Sequence, residues 1–276
     1  MARDPAGPGD PWTAARLTSF NRCNLPPWVI ASHEFNDDPR PLEVQGVREA
    51  NGFLFRTLDA TGDPGERARR FDDWLSVRFQ LHHWQEQQTA SARRSLRNSY
   101  LRFLRGWGVD ASSNEGAVLK GWVESRMGIP PTYHRGRIGS KEDEPYLRYA
   151  RDRMEGSART SAIFDQLDLV HAYTQYELAR RHPGERWLTL WRGQHDAGEH
   201  EVLERAGPRE LVVRLNNLCS FTDDAERAWE FGSTVWEARV AIPRIFCASW
   251  LFPGILVGER EALVVGGEMR VRRVLA

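Results

Sequence analysis

"ARRHPGERWLTLWRG", residues 179–193, is where the chain changes its periodicity. The first half closes a helical pattern with basic residues and His182-Pro183-Gly184, a stop signal because proline cannot continue a helix and glycine accepts the left-handed conformation that often follows one. The second half, Trp187 to Trp191, is rich in residues that favour a pleated, half-buried surface. Apolar residues recur at helical intervals before this point and in short strand-like runs after it. The pattern predicts an α+β chain: a tail over 1–12, a mainly helical region over 13–184 and a β-rich module over 185–276.

Upstream, "RARRFDDWLSVRFQLHHW" spaces Phe71, Trp74, Leu75, Arg78 and Phe79 by three and four residues, and "SARRSLRNSYLRFLRGWG" does the same with Leu96, Tyr100, Phe103, Leu104 and Trp107. Ser113 or Asn114 caps the next helix, which ends at Gly128 before Pro130-Pro131. "PPTYHRGRIGSKEDEP" has too many glycines, prolines and charges for a packed element and is expected to be an exposed loop. Helices resume at "YLRYARDRMEG" and "TSAIFDQLDLVHAYTQYELARRHPG". Downstream, "RWLTLWRG", "ELVVRLNNLCSFT", "STVWEARVAI", "RIFCASWLF", "EALVV" and "EMRVRRVL" read as strands, and "DDAERAWEFG" as a helix closed by Gly232. Gly266-Gly267 between the last two predicts a hairpin turn.

Composition narrows the classes. With 276 residues, 41% hydrophobic and 28% charged, the chain is ordinary globular material. Its formal net charge of +0 argues against nucleic acid as a main partner, since phosphate binding relies on an excess of Lys and Arg. The N-terminus lacks a signal-peptide apolar core, and no apolar run reaches the ~20 residues of a membrane span, so a cytoplasmic protein is expected. Cys23, Cys219 and Cys247 lack metal-type spacing and are expected to be reduced thiols. The adjacent pair His82-His83 diverges on a helix, so no metal site is predicted.

Three polar features interrupt the predicted strands: Trp191-Arg192-Gly193, Ser220-Phe221-Thr222 and Glu259-Arg260-Glu261. Each has an ordinary reading: a turn, a helix cap and a wet strand start. On an extended strand Glu259 and Glu261 share a face, with Cα atoms roughly 6.5 to 7 Å apart, and Arg260 points the other way. In this order the three features resemble the Arg-Ser-Glu class of mono-ADP-ribosyltransferases, which carries an aromatic-Arg-Gly strand, a Ser-x-Ser/Thr strand and a Glu-x-Glu strand. The tail "EREALVVGGEMRVRRV" resembles the ending of that class as well.

The resemblance implies a core of short strands in two packed sheets, with NAD as co-substrate. It makes Glu261 the carboxylate that stabilises the oxocarbenium-like sugar formed when nicotinamide leaves. It makes Glu259 the partner of an incoming guanidinium, whose activation needs a positioned carboxylate because arginine is charged and a poor nucleophile. Arg192 is expected at the dinucleotide's phosphates, Gly193 at the nicotinamide amide, and Ser220 and Thr222 in support of Glu261, with Phe231 or Trp229 stacking on nicotinamide. The segment "WLFPGILVG" corresponds to the target-recognition loop, in which Phe252 is expected to be exposed and Trp250 is either core or contact.

The full length, and above all "LTSFNRCNLPPWVIASHEFNDDPRPLEVQGVREANGFLF", resembles the dinitrogenase reductase ADP-ribosyltransferase family. That resemblance implies an arginine of dinitrogenase reductase as acceptor, a switch that turns nitrogen fixation off, and control by a PII-type nitrogen regulatory protein. Arg93, Arg94, Arg97, Arg102 and Arg105 border one apolar stripe, either as a solvated face or as a basic face for an acidic target. Two other readings stay open: an NAD glycohydrolase using water as acceptor, and a non-catalytic module that binds NAD or a regulator.

Overall fold

The computed structural model describes residues 21–81, 99–158, 162–195, 200–256 and 260–275. Four short helices come first: α1 (Pro27–Ala31), α2 (His33–Asp37), α3 (Val47–Ala50) and α4 (Gly52–Asp59). Longer ones follow: α5 (Pro64–Arg78), α6 (Tyr100–Val109), α7 (Asn114–Met127), α8 (Glu144–Ser157) and α9 (Ile163–Arg181). Their ends follow local chemistry. Asp63 accepts the Glu66 N–H at 2.7 Å to start α5, and Ser113 accepts the Gly116 N–H at 3.1 Å to start α7. Gly128 at φ 74° closes α7, a conformation glycine adopts without a Cβ clash.

The helix α7 is buried on all sides, with Val118, Leu119, Trp122 and Met127 beside Lys120, Glu124 and Arg126. Its charged groups have polar partners, Lys120 donating to the Tyr133 carbonyl at 3.0 Å. Glu124 accepts from Tyr149 and Arg153, each at 2.6 Å, while Arg126 and the Trp122 indole both donate to Asp168. A buried charge without such partners would be strongly destabilising.

Strands follow as β1 (Trp187–Gln194), β2 (Glu201–Arg205), β3 (Glu210–Thr222), β4 (Thr234–Ala241), β5 (Ile245–Ala248) and β6 (Glu261–Val274), with the short helix α10 (Ala225–Ala228) after β3. All pairings are antiparallel, in the order β2-β3-β1-β4-β6-β5, and β3 also pairs with β6. The expected two packed sheets are therefore one hydrogen-bonded sheet in which β3, β1, β4 and β6 close a ring. The strand β2 has no counterpart in the sequence reading.

The expected hairpin at Gly266-Gly267 is absent, because β6 runs through both glycines while pairing with β3. The register shifts between Leu215 and Leu218, and an added Cβ on Gly266 would sit 1.6 Å from the Asn216 carbonyl oxygen. Here glycine permits a close backbone approach at a bulge, not a chain reversal.

Helices and strands share one core. Phe71 of α5 stacks on Tyr173 of α9 at 4.2 Å, and Trp122 lies 4.6 Å from Phe246 of β5. Phe252, expected to be exposed, is fully buried, with its ring 5.1 Å from Tyr173 and 5.9 Å from Phe71. Burying an aromatic of this size in a ready-made ring cluster outweighs the pull of Pro253-Gly254 toward solvent. The exposed loop expected over 130–145 lacks helix and named strand only as far as 143, since Glu144 and Pro145 open α8, and it is not exposed throughout: His134 is buried and bonds Asp152 at 2.9 Å. Among the described residues no helix is long and apolar enough to cross a membrane, and the three cysteines are buried free thiols.

Candidate active site

Strand register brings the three polar features together. Trp191 of β1 faces Thr222 of β3, and Thr222 faces Glu261 of β6. A cavity of about 440 Å³ opens at this level, lined by Arg192, Gly193, Ser220, Thr222, Phe231 and Glu261. Apart from Trp229, these are the sequence-predicted NAD-site residues that lie in the described chain. Trp229, the alternative to Phe231, is not among the lining residues. Glu259 lies outside the described residues, as do His82, His83, Arg93, Arg94 and Arg97.

The alternation expected across Glu259-Arg260-Glu261 does not apply as drawn, because β6 begins at Glu261 and Arg260 has a φ of 55°. A left-handed residue breaks the extended period that puts alternate side chains on one face. Arg260 instead forms a forked pair with Asp223, at 2.7 and 2.8 Å, which ties the segment before β6 to the end of β3.

Each wall is held by a specific contact. Ser220 is fixed at two atoms: its carbonyl accepts from Arg192 at 2.9 Å and its hydroxyl accepts from the Trp107 indole N–H at 2.8 Å. The Glu261 backbone N–H donates to the Ser249 hydroxyl at 3.0 Å. Thr222 accepts from the Asp224 N–H, and Asp224 in turn caps α10 through the Glu226 and Arg227 amides. The helix cap read at Ser220-Thr222 is thus made by Asp224, with Thr222 behind it. Gly193 lets that helix close over β1, since a Cβ there would lie 1.9 Å from the Ala228 carbonyl oxygen. The turn at residues 229–231 then carries half-exposed Phe231 to the rim.

Sequence reading missed the helical wall. Leu104, Arg105 and Trp107 of α6 also line the cavity, as does Ser249 after β5. Trp107 was legible only as one more apolar position of its stripe, because the indole N–H that reaches Ser220 has no sequence signature. Arg102, grouped with Arg105 at the borders of that stripe, pairs with Glu115 at 2.7 Å. Cys247 also lines the cavity, and burial pushes its thiol well up, with the Glu261 carboxylate adding to the shift, so it stays protonated and is not a nucleophile there. Buried His200 is pushed down to about 3, first by desolvation and then by the positive charges of Arg192 and Arg137. Among the described residues one group, His33, Glu34 and Glu268, could hold a metal ion; it lies outside the cavity lining, and Glu268 also pairs with Arg214.

An arginine able to meet an anion and a carboxylate able to meet a developing sugar cation face one cavity with the apolar walls Leu104, Phe221, Leu256 and Leu263. Such a cavity suits a substrate that carries both a phosphate and a departing glycosyl group. Comparison with known proteins agrees: residues 20–273 match the dinitrogenase reductase ADP-ribosyltransferase family, and the chain belongs to it. It is 39% identical over 259 residues to the NAD(+)--dinitrogen-reductase ADP-D-ribosyltransferase of Rhodospirillum rubrum, an overlap covering 92% of this chain and 94% of that relative. No solved structure matches the chain. NAD is the co-substrate of the reaction, and the chain is a transferase.

Proposed function

We propose that the chain moves ADP-ribose from NAD to an arginine of dinitrogenase reductase and so switches off nitrogen fixation. Family membership supports the reaction, and the registers Trp191 to Thr222 to Glu261 support the site. In this reading the glycosidic bond between ribose C1′ and the nicotinamide nitrogen breaks, and a guanidinium nitrogen of the acceptor takes the vacated carbon. Glu261 stabilises the sugar cation between those events. Glu259 orients the guanidinium and takes the proton it loses. Arg192 holds phosphate, Gly193 presents its backbone to the nicotinamide amide, Phe231 stacks on the ring, and Ser220 and Thr222 brace the end of the sheet from which Glu261 works. The NAD-binding core proposed over 185–276 borrows a wall from α6. A PII-type regulatory protein is the proposed controller, and the cytoplasm the proposed compartment.

Labelled NAD incubated with reduced dinitrogenase reductase tests this, with protein label and free nicotinamide scored separately for wild type, Glu261→Gln and Glu259→Gln. Label on an arginine that vanishes with Glu261→Gln is expected, and Glu259→Gln should lose protein label while still releasing nicotinamide. Nicotinamide without protein label in the wild type would replace the reading with a glycohydrolase, and neither signal with a binding module.

A further inference from the structure

The diphosphate of NAD carries two negative charges, and the reading above meets it with one arginine. Part of that arginine is already committed, since Arg192 Nη1 donates to the Ser220 carbonyl at 2.9 Å. Among the described residues that line the NAD cavity, Arg105, Arg192 and Glu261 are charged. A carboxylate repels phosphate, so the cation left to complete the site is Arg105, which the chemistry has not yet used.

Helix geometry places this residue at the mouth. Leu104 and Gly108, about one turn apart on α6, both line the cavity, and Trp107 and Arg105 flank their common direction, each turned from it by roughly 80°. Trp107 turns inward: it is buried, and its indole reaches Ser220, the residue whose carbonyl holds Arg192. Arg105 turns the other way and is exposed. Ser220 thus ties α6 and Arg192 to one point of the sheet, and the two arginines border one opening from two walls. Arg102, three residues earlier on α6, is occupied by its pair with Glu115 at 2.7 Å, whereas Arg105 has no hydrogen bond or ion pair among the described residues. A guanidinium presents a planar fork that fits phosphate oxygens, and an unoccupied one beside a cavity suits an arriving anion. It does not suit the acceptor, which is itself a guanidinium.

We infer that Arg105 is a second NAD-binding arginine, which clamps the diphosphate from α6 while Arg192 holds it from β1; the inference rests on the transferase reading above. The helical region then supplies a charged contact to NAD as well as an apolar wall. Because the diphosphate neither gains nor loses charge when nicotinamide departs, this contact is equally strong before and during bond breaking. Such a contact lowers KM and leaves kcat unchanged.

Arg105→Met removes the charge from an exposed side chain that holds nothing in the described fold, so the melting temperature should stay within about a degree of wild type. Its KM for NAD should rise at least about tenfold, the loss of one charge-assisted contact, with kcat within about twofold and the KM for dinitrogenase reductase unchanged. Arg105→Lys, which keeps the charge without the fork, should recover most of that loss. ADP-ribose, which has the diphosphate and lacks nicotinamide, should bind Arg105→Met about tenfold more weakly than wild type in calorimetry. Unchanged KM for NAD, unchanged affinity for ADP-ribose, or a fall in kcat alone would each overturn the inference. A raised KM for dinitrogenase reductase with NAD unaffected would overturn it too, and would place Arg105 on the face that docks the target. Calorimetry needs no transfer: a wild type that binds ADP-ribose but labels no dinitrogenase reductase would fail the transferase reading, while the comparison with Arg105→Met still decides the clamp.

Discussion

The helical region and the cavity end of the sheet use charge in different ways. In the helices, buried charged groups face one another, as Arg67 with Glu177 and Arg126 with Asp168, and buried Glu124 meets half-buried Arg153. Such pairs gain little over well-packed apolar residues, but losing one partner strands the other in a low-dielectric interior. In the sheet, Arg192 and Glu261 border a cavity large enough for a ligand. The difference teaches that burial of a charge identifies function only together with an opening toward which it can act.

Four experiments test that contrast. The largest effect is expected from Glu177→Gln, which deprives buried Arg67 of a carboxylate it reaches through two nitrogens, one at 2.9 Å. It should reduce unfolding free energy by about 3–5 kcal/mol in a urea titration, with NAD cleavage per folded molecule nearly unchanged. Glu261→Gln should do the reverse. Turnover should fall by about 10²–10³, equivalent to roughly 3–4 kcal/mol of transition-state stabilisation, while the melting temperature stays within a degree or two. If both variants lose stability and activity together, the division between structural and reactive carboxylates fails.

Acid response is next in size. Burial holds His171 at about 4 and His200 at about 3 in the folded chain, against an ordinary 6.5. The unfolded chain therefore takes up these protons first. Their stability contribution is present above about pH 6.5 and is lost as pH falls toward the folded values, at up to about 1.4 kcal/mol per pH unit for each ring. A melting temperature that falls between pH 6.5 and 4, less steeply in His200→Asn, is the expected result. A flat profile would mean that the rings take up protons in the fold. The smallest effect belongs to Trp107→Phe, which removes the indole N–H from Ser220 while preserving the ring. A loss of several-fold in kcat/KM, near 1 kcal/mol, is expected, with little change in stability. An unchanged value would make the α6 wall packing alone.

Legibility in the sequence followed the range of the interactions. Helices α5 and α7 were readable because caps such as Ser113 and stops such as Gly128 act within one turn. The motif strands were readable because period-two patterns and short polar interruptions are local. Gly266-Gly267 was misread because the same dipeptide serves a turn or a close approach, and the neighbour that decides, Asn216, comes from another strand. Phe252 was misread for the same reason: its ring partners, Phe71 and Tyr173, are far away in the chain. Trp107 gave no signal, since an indole N–H has polar meaning only when something across the fold accepts it.

By itself, the sequence determined the order of helical and strand regions, the three polar features and the family to which they belong, because each rests on residue identity and short-range spacing. Only the tertiary structure decided that the strands form one sheet, that Trp191, Thr222 and Glu261 stand at one level, and that α6 walls the cavity. Register and packing are properties of pairs of residues distant in the chain. Their energies depend on which surfaces meet, and no single segment encodes that meeting.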